Sequence, residues 1–168
     1  MSFWKPDSLK EALTKALDAA HHITDNPDRL QIEVIEGSVH ALATPGLGFR
    51  YQYEIAVGVL DYTGKLDEIM IPLLIWLQRW EKSQLLDHSK AARGVKFERQ
   101  LLDAEAANIL FTVQLTEAVA FKLREDGGFD AVHRKDPPMA DTGRAALLHR
   151  IYANGELVAE CGVHPVTG

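Results

Sequence analysis

Cysteine is all but missing. Cys161 stands alone in 168 residues, so no intrachain disulfide can form and nothing points to an oxidising compartment. A basic surplus is missing too. Eighteen Lys and Arg stand against 24 Asp and Glu, a formal net charge of −6, which argues against a chain whose main task is to grip nucleic acid. Lys90, Arg93 and Lys96 cluster, but Asp87 and Glu98 beside them make this a solvated face. No membrane span is expected, because the most apolar run, Ile69–Leu77, is far shorter than the roughly 20 residues a bilayer requires. The start, Met1-Ser2-Phe3-Trp4-Lys5-Pro6, lacks the apolar segment of a signal peptide. A chain made and kept in a reducing cytoplasm is expected.

Catalytic signatures are missing as well. The histidines at 21, 22, 40, 88, 133, 149 and 164 include no pair at the four-residue spacing of a helical metal site. No Gly-Lys-Ser/Thr exists, and Gly46-Leu47-Gly48 lacks the later glycine of a nucleotide-binding loop. No serine sits in a Gly-x-Ser-x-Gly elbow. Asp61 and Thr63 belong to a turn ending at Gly64, where such side chains bond local backbone. Glu33 with Glu36, or Asp25 with Asp28, are pairs any acidic protein offers. No catalytic residue, cofactor or metal site is therefore expected.

What is present is strong patterning. From Phe49 to Val59 every odd position is aromatic or β-branched, while Arg50, Gln52 and Glu54 face the other way, which predicts a half-buried strand. Beyond Asp61-Tyr62-Thr63-Gly64 the run from Ile69 to Trp80 is apolar all round and predicts a helix covered on more than one face. Pro72 is expected in or near its first turn. One sheet cannot cover such a helix, so a second subunit is expected against Met70, Leu74, Trp76 and Leu77. Ser8 and Glu11 have the spacing of a capping box ahead of Leu9, Leu13 and Leu17, predicting an amphipathic first helix.

Leu30, Ile32 and Val34 alternate as a strand expected to stop at Glu36-Gly37, with a further short strand from Val39 to Thr44. Gln84–Arg93 reads as a loop. Val95, Phe97 and Leu101, then Ile109 to Leu123, predict a two-stranded antiparallel ribbon whose second strand is long. Gly127-Gly128 and Pro137-Pro138 bracket a charged segment read as a linker. Asn154-Gly155 predicts a closing hairpin, because both central positions of a type I′ turn need positive φ. An isolated hairpin is marginal in water, so Ile151, Leu157 and Val158 must dock. A neighbouring subunit is the favoured dock, with the chain's own sheet as the other.

The expected fold is therefore α+β: a mainly antiparallel sheet flanked by two helices over residues 1–125, then a linker and hairpin arm over 126–168. Several segments together resemble a known family. They are Lys5-Pro6-Asp7-Ser8-Leu9, Asn26-Pro27-Asp28, Asp61-Tyr62-Thr63-Gly64, Pro72 with Trp76-Leu77, Leu115-Thr116-Glu117 and Tyr152-x-Asn154-Gly155-Glu156-Leu157-Val158. With Phe49, Tyr53, Val57 and Val59 in the long strand, their order and spacing resemble the tail completion protein GpR family of temperate contractile-tailed phages. The resemblance implies a structural virion protein that caps the tail tube at its head-proximal end. It implies partners among tube, sheath and head-completion proteins, and likeness to tail terminators, which form six-fold rings with a sheet and flanking helices in each subunit. A homohexameric ring is the expectation. The alternative is a small enzyme or ligand-binding protein, with a pocket between the long strand and the apolar helix lined by Tyr51, Tyr53, Tyr62 and Trp76.

Overall fold

A computed structural model describes residues 3–42, 48–81, 94–103, 105–135, 150–153 and 155–160. In chain order the elements are α1 (Trp4–His21), a 3-10 turn (Pro27–Arg29), β1 (Leu30–Leu42), β2 (Gly48–Tyr62) and α2 (Leu66–Trp80). Then follow β3 (Lys96–Leu101), β4 (Ala107–Leu123), β5 (Phe129–His133), β6 (Arg150–Ala153) and β7 (Glu156–Glu160). Five strands form one antiparallel sheet in the order β1-β2-β4-β3, with β5 also paired to β4; β6 and β7 form a separate hairpin. The α+β expectation holds.

Alternation decides which face of the sheet is covered. Tyr53, Ile55, Val57 and Val59 of β2 and Ile109, Phe111, Val113 and Leu115 of β4 all point to one side. There they meet Leu9, Leu13 and Leu17 of α1 and Ile69, Leu73, Trp76 and Leu77 of α2. The other face is small and polar, with Gln52, Glu54 and Ala56 beside Thr112, Gln114 and Thr116. Both helices thus lie in one layer, and α1 covers part of the apolar circumference of α2.

Four local expectations change. Helix α1 starts at Trp4 rather than at a Ser8 cap, and its end is satisfied from across the fold: Lys5 N–H donates to Glu117 Oε1 at 3.0 Å. A carboxylate at a helix N-terminus satisfies an orphan donor and complements the dipole. Ser8 Oγ accepts from Trp76 Nε1 instead, at 3.2 Å. Strand β1 runs without a break from Leu30 to Leu42, with a bulge between Val34 and Glu36. Gly37 does not stop it. A Cβ there would come within 2.9 Å of Tyr53 Cβ, so glycine permits the close pairing. Pro72 lies inside α2, beyond its first turn, because that helix begins at Leu66. Finally, Gly127 (φ 83°) turns the chain into β5, so the sheet reaches into the segment read as a linker; residues 136–149 lie outside the described residues, as does the loop read at 84–93.

A buried charge network joins these pieces. Lys5, 1% exposed, holds Glu81 Oε1 at 2.7 Å and the Trp80 carbonyl at 3.1 Å. Glu81 Oε1 also accepts from Thr116 N–H at 2.6 Å, on the edge of β4 between its pairings with β3 and β5. Glu117 accepts from the Tyr53 hydroxyl at 2.5 Å and lies 2.8 Å from His133 Nδ1. Burial, then the hydrogen bond and charge of Glu117, push the Tyr53 hydroxyl far above its usual range, so it stays a neutral donor. Removing one member of a buried pair strands the other. Lys5→Met is expected to lower stability by about 3–5 kcal/mol, read as a drop in the urea midpoint.

Candidate functional site

The second polar cluster fixes the start of α2. Glu68 Oε2 lies 2.8 Å from His21 Nε2 and 2.8 Å from the Tyr62 hydroxyl, which also donates to Lys65 O at 2.9 Å. Arg29 extends it by donating to the carbonyls of His21, Leu60 and Asp61. Gly64 sits against the cluster; a Cβ there would come within 2.7 Å of His21 Cε1. These residues tie the end of α1, the end of β2 and the first turn of α2 together. The bond of His21 to Glu68, 47 residues away, has no local sequence signal. Burial works against the Glu68 carboxylate, but donation from His21, Tyr62 and the Lys65 backbone holds it below its ordinary value of 4.5. A depressed carboxylate stabilises the fold above its unfolded value and loses that contribution as pH falls through the folded one. Glu68→Gln should therefore flatten the loss of stability on acidification below pH 4.5, measured by urea unfolding across that range.

The residues expected at an interface separate into two groups. Trp76 and Leu77 are 5% and 3% exposed, built into the core between α1 and the sheet. Leu74 is 41% exposed and Met70 is half-buried, so the outward surface of α2 centres on Leu74. The β6–β7 hairpin rests with β7 against α1 and α2 of its own chain, where Lys65 Nζ lies 3.5 Å from Glu156 Oε2. Within the chain the hairpin thus meets the helices and forms a sheet separate from the five-stranded one. Leu157 and Tyr152 remain exposed on the hairpin, while the side chains of Ile151 and Val158 lie outside the described residues.

Tyr53, Tyr62 and Trp76 are core residues, so they fill space rather than line a pocket. A groove of about 320 Å³ opens beside Glu36, Ser38, Gln52, Glu54 and Gln114 near the β1 bulge. Among the described residues no three His, Cys, Asp or Glu converge to hold a metal. The strands also outrun the helices. Beyond Phe3, an aromatic series passes from Tyr51 to Phe49, Phe121 and Phe129, with successive ring centroids 5.0, 5.9 and 6.3 Å apart. Among the described residues no helix covers this end of the sheet, and Phe121, Leu123 and Phe129 are exposed.

The described residues offer several surfaces: an α2 face, a hairpin, an aromatic sheet end and open sheet edges. Leu74→Glu places its charge in water and should shift stability by no more than about 0.5 kcal/mol. Leu73→Glu, one residue earlier and fully buried, should unfold the chain. Thermal melts of the two variants followed by circular dichroism test the assignment of faces.

Comparison with known proteins gives a consistent result. Over 156 residues the chain is 30% identical to Tail completion protein R of Escherichia phage P2, covering 93% of this chain and 97% of that protein. No solved structure matches. Residues 4–137, which include both helices and the whole five-stranded sheet, match the family described as P2 phage tail completion protein R, and the chain belongs to that GpR family.

Proposed function

We propose that this chain completes a phage tail, as a structural virion protein that terminates the tube at its head-proximal end and readies it for joining to the head. The observation that carries the reading is collinearity with Tail completion protein R across nearly the full length of both chains. The physical properties of the fold support it. The buried polar groups of both clusters serve one another, whereas apolar residues such as Leu74 and Phe129 are left exposed and available for contact.

In this reading the protein works by surface complementarity without turnover. It forms a homohexameric ring, sits on the last ring of a contractile tail, and contacts tube, sheath and head-completion proteins. It assembles in the host cytoplasm and remains in the virion. Met70 and Leu74 on α2, with Leu157 on the hairpin, supply apolar contact; Trp76 and Leu77 stiffen that face from beneath. A phage or prophage lacking this chain should make filled heads and tail tubes that fail to join, with tubes overlong or ragged, seen by electron microscopy of lysates. Genome replication and lysis should proceed. Normal infectious particles from the deletion would overturn the reading.

A further inference from the structure

The two edges of the main sheet differ in a way that bears on how copies meet. β1 forms one edge and β3 with β5 forms the other, and neither edge is paired with a further strand among the described residues. Each pairing from β1 through β2 and β4 to β3 is antiparallel, so β1 and β3 run in opposite directions. A copy rotated about an axis along the strands can therefore set its β3 beside β1 and continue the antiparallel pattern.

The registers place the edge residues in common rows. Glu33 pairs with Ala56, Ala56 with Thr112, and Thr112 with Lys96; Ile32 leads likewise through Val57 and Phe111 to Phe97. Glu33 and Lys96 thus end the same row at opposite edges, both on the helix-free face, and among the described residues neither has an ion-pair partner. The irregular part of β1 also matches an irregular part of the far edge. β3 pairs with β4 only as far as Thr112 and β5 begins at Val119, while the bulge in β1 falls at the rows of Val113 and Gln114. Exposed Val34 and Ile35 on one edge, and Phe97 and Leu101 on the other, add apolar surface.

We infer that the edges are complementary to each other: β1 of one copy pairs antiparallel with β3 of the next, Glu33 facing Lys96 and Ile32 beside Phe97. The contact is heterologous, so a rotation that closes makes a ring with one sheet continuing from copy to copy. A two-fold contact of β1 with β1 is disfavoured, because it would bring the carboxylates of Glu33 and Glu36 together. The inference rests on the ring reading above and adds its joint.

Disulfide trapping tests it. Directly opposed residues of an antiparallel pair lie about 4.5–5.5 Å apart at Cα, within disulfide reach. In a full-length Cys161→Ser background, Glu33→Cys with Lys96→Cys should oxidise to a ladder of covalent oligomers. The trap is run on concentrated purified protein and on tails assembled in infected cells. A mixture of the two single variants should give heterodimers and stop there. Glu33→Lys should weaken association at low salt by about threefold or more, and adding Lys96→Glu should restore it. Homodimers from Glu33→Cys alone, or no cross-link in either setting, would overturn the inference. The two readings fail separately. Absent cross-links on tails that still need the protein would reject the joint and keep tail completion. A full ladder from a protein dispensable for infectivity would do the reverse.

Discussion

The fold depends on keeping two buried carboxylates satisfied. Glu81 and Glu117 both lie in the interior, and the Lys5 ammonium pairs with Glu81 alone. Isolated, either charge would be prohibitive there. The remaining compensation comes from the N–H groups of Lys5 and Thr116, the Tyr53 hydroxyl, and the His133 ring 2.8 Å from Glu117. Each of these donors is fixed by a different element, so the network can be complete only when α1, the end of α2, β2 and β4 occupy their final places. It also answers for an edge that would otherwise be costly. Where β4 has neither β3 nor β5 beside it, the Thr116 N–H is met by a side chain instead of a strand.

That network explains the division between legible and hidden structure. Alternation in β2 and β4, helical spacing in α1, the β3–β4 ribbon and the hairpin at Asn154-Gly155 depend on neighbours a few residues away, and all could be read. The cap of α1 depends on a partner 112 residues distant, so the local Ser8–Glu11 pattern pointed to a cap five residues later than Phe3. One signal was available. In the alternating run from Ile109 to Leu123, Glu117 occupies a position on the apolar face, between Leu115 and Val119. A carboxylate there requires buried donors. Lys5 carried no such mark, since a lysine beside a proline near a chain start ordinarily reads as solvated. Continuity of β1 was hidden because Gly37 looks like a terminator until its packing against Tyr53 is known.

The surfaces of α2 show how far burial can be inferred from composition. An all-round apolar helix does need cover on several sides, and α1, the sheet and β7 provide much of it within one chain. What remains outward is narrow and centred on Leu74. The candidate site was therefore legible as a helix but not as a face, since the face depends on where α1 and the hairpin come to rest. The broader apolar exposure lies elsewhere, at the end of the sheet around Phe121 and Phe129 and along its edges, where the strands extend past the helices.

The span of the Lys5 contacts sets an order of events during synthesis. Of the described elements α1 is translated first, yet an isolated helix of its 18 residues is only marginally stable in water. Its seat requires Glu81 and Glu117, which are translated 76 and 112 residues after Lys5. Closure of the helix layer must wait until most of the polypeptide has emerged. Contacts so distant in sequence slow folding, because loop-closure entropy is spent before they form. A chain cut short of Glu117 therefore lacks the partners that seat α1 and cannot finish the surface its helices form.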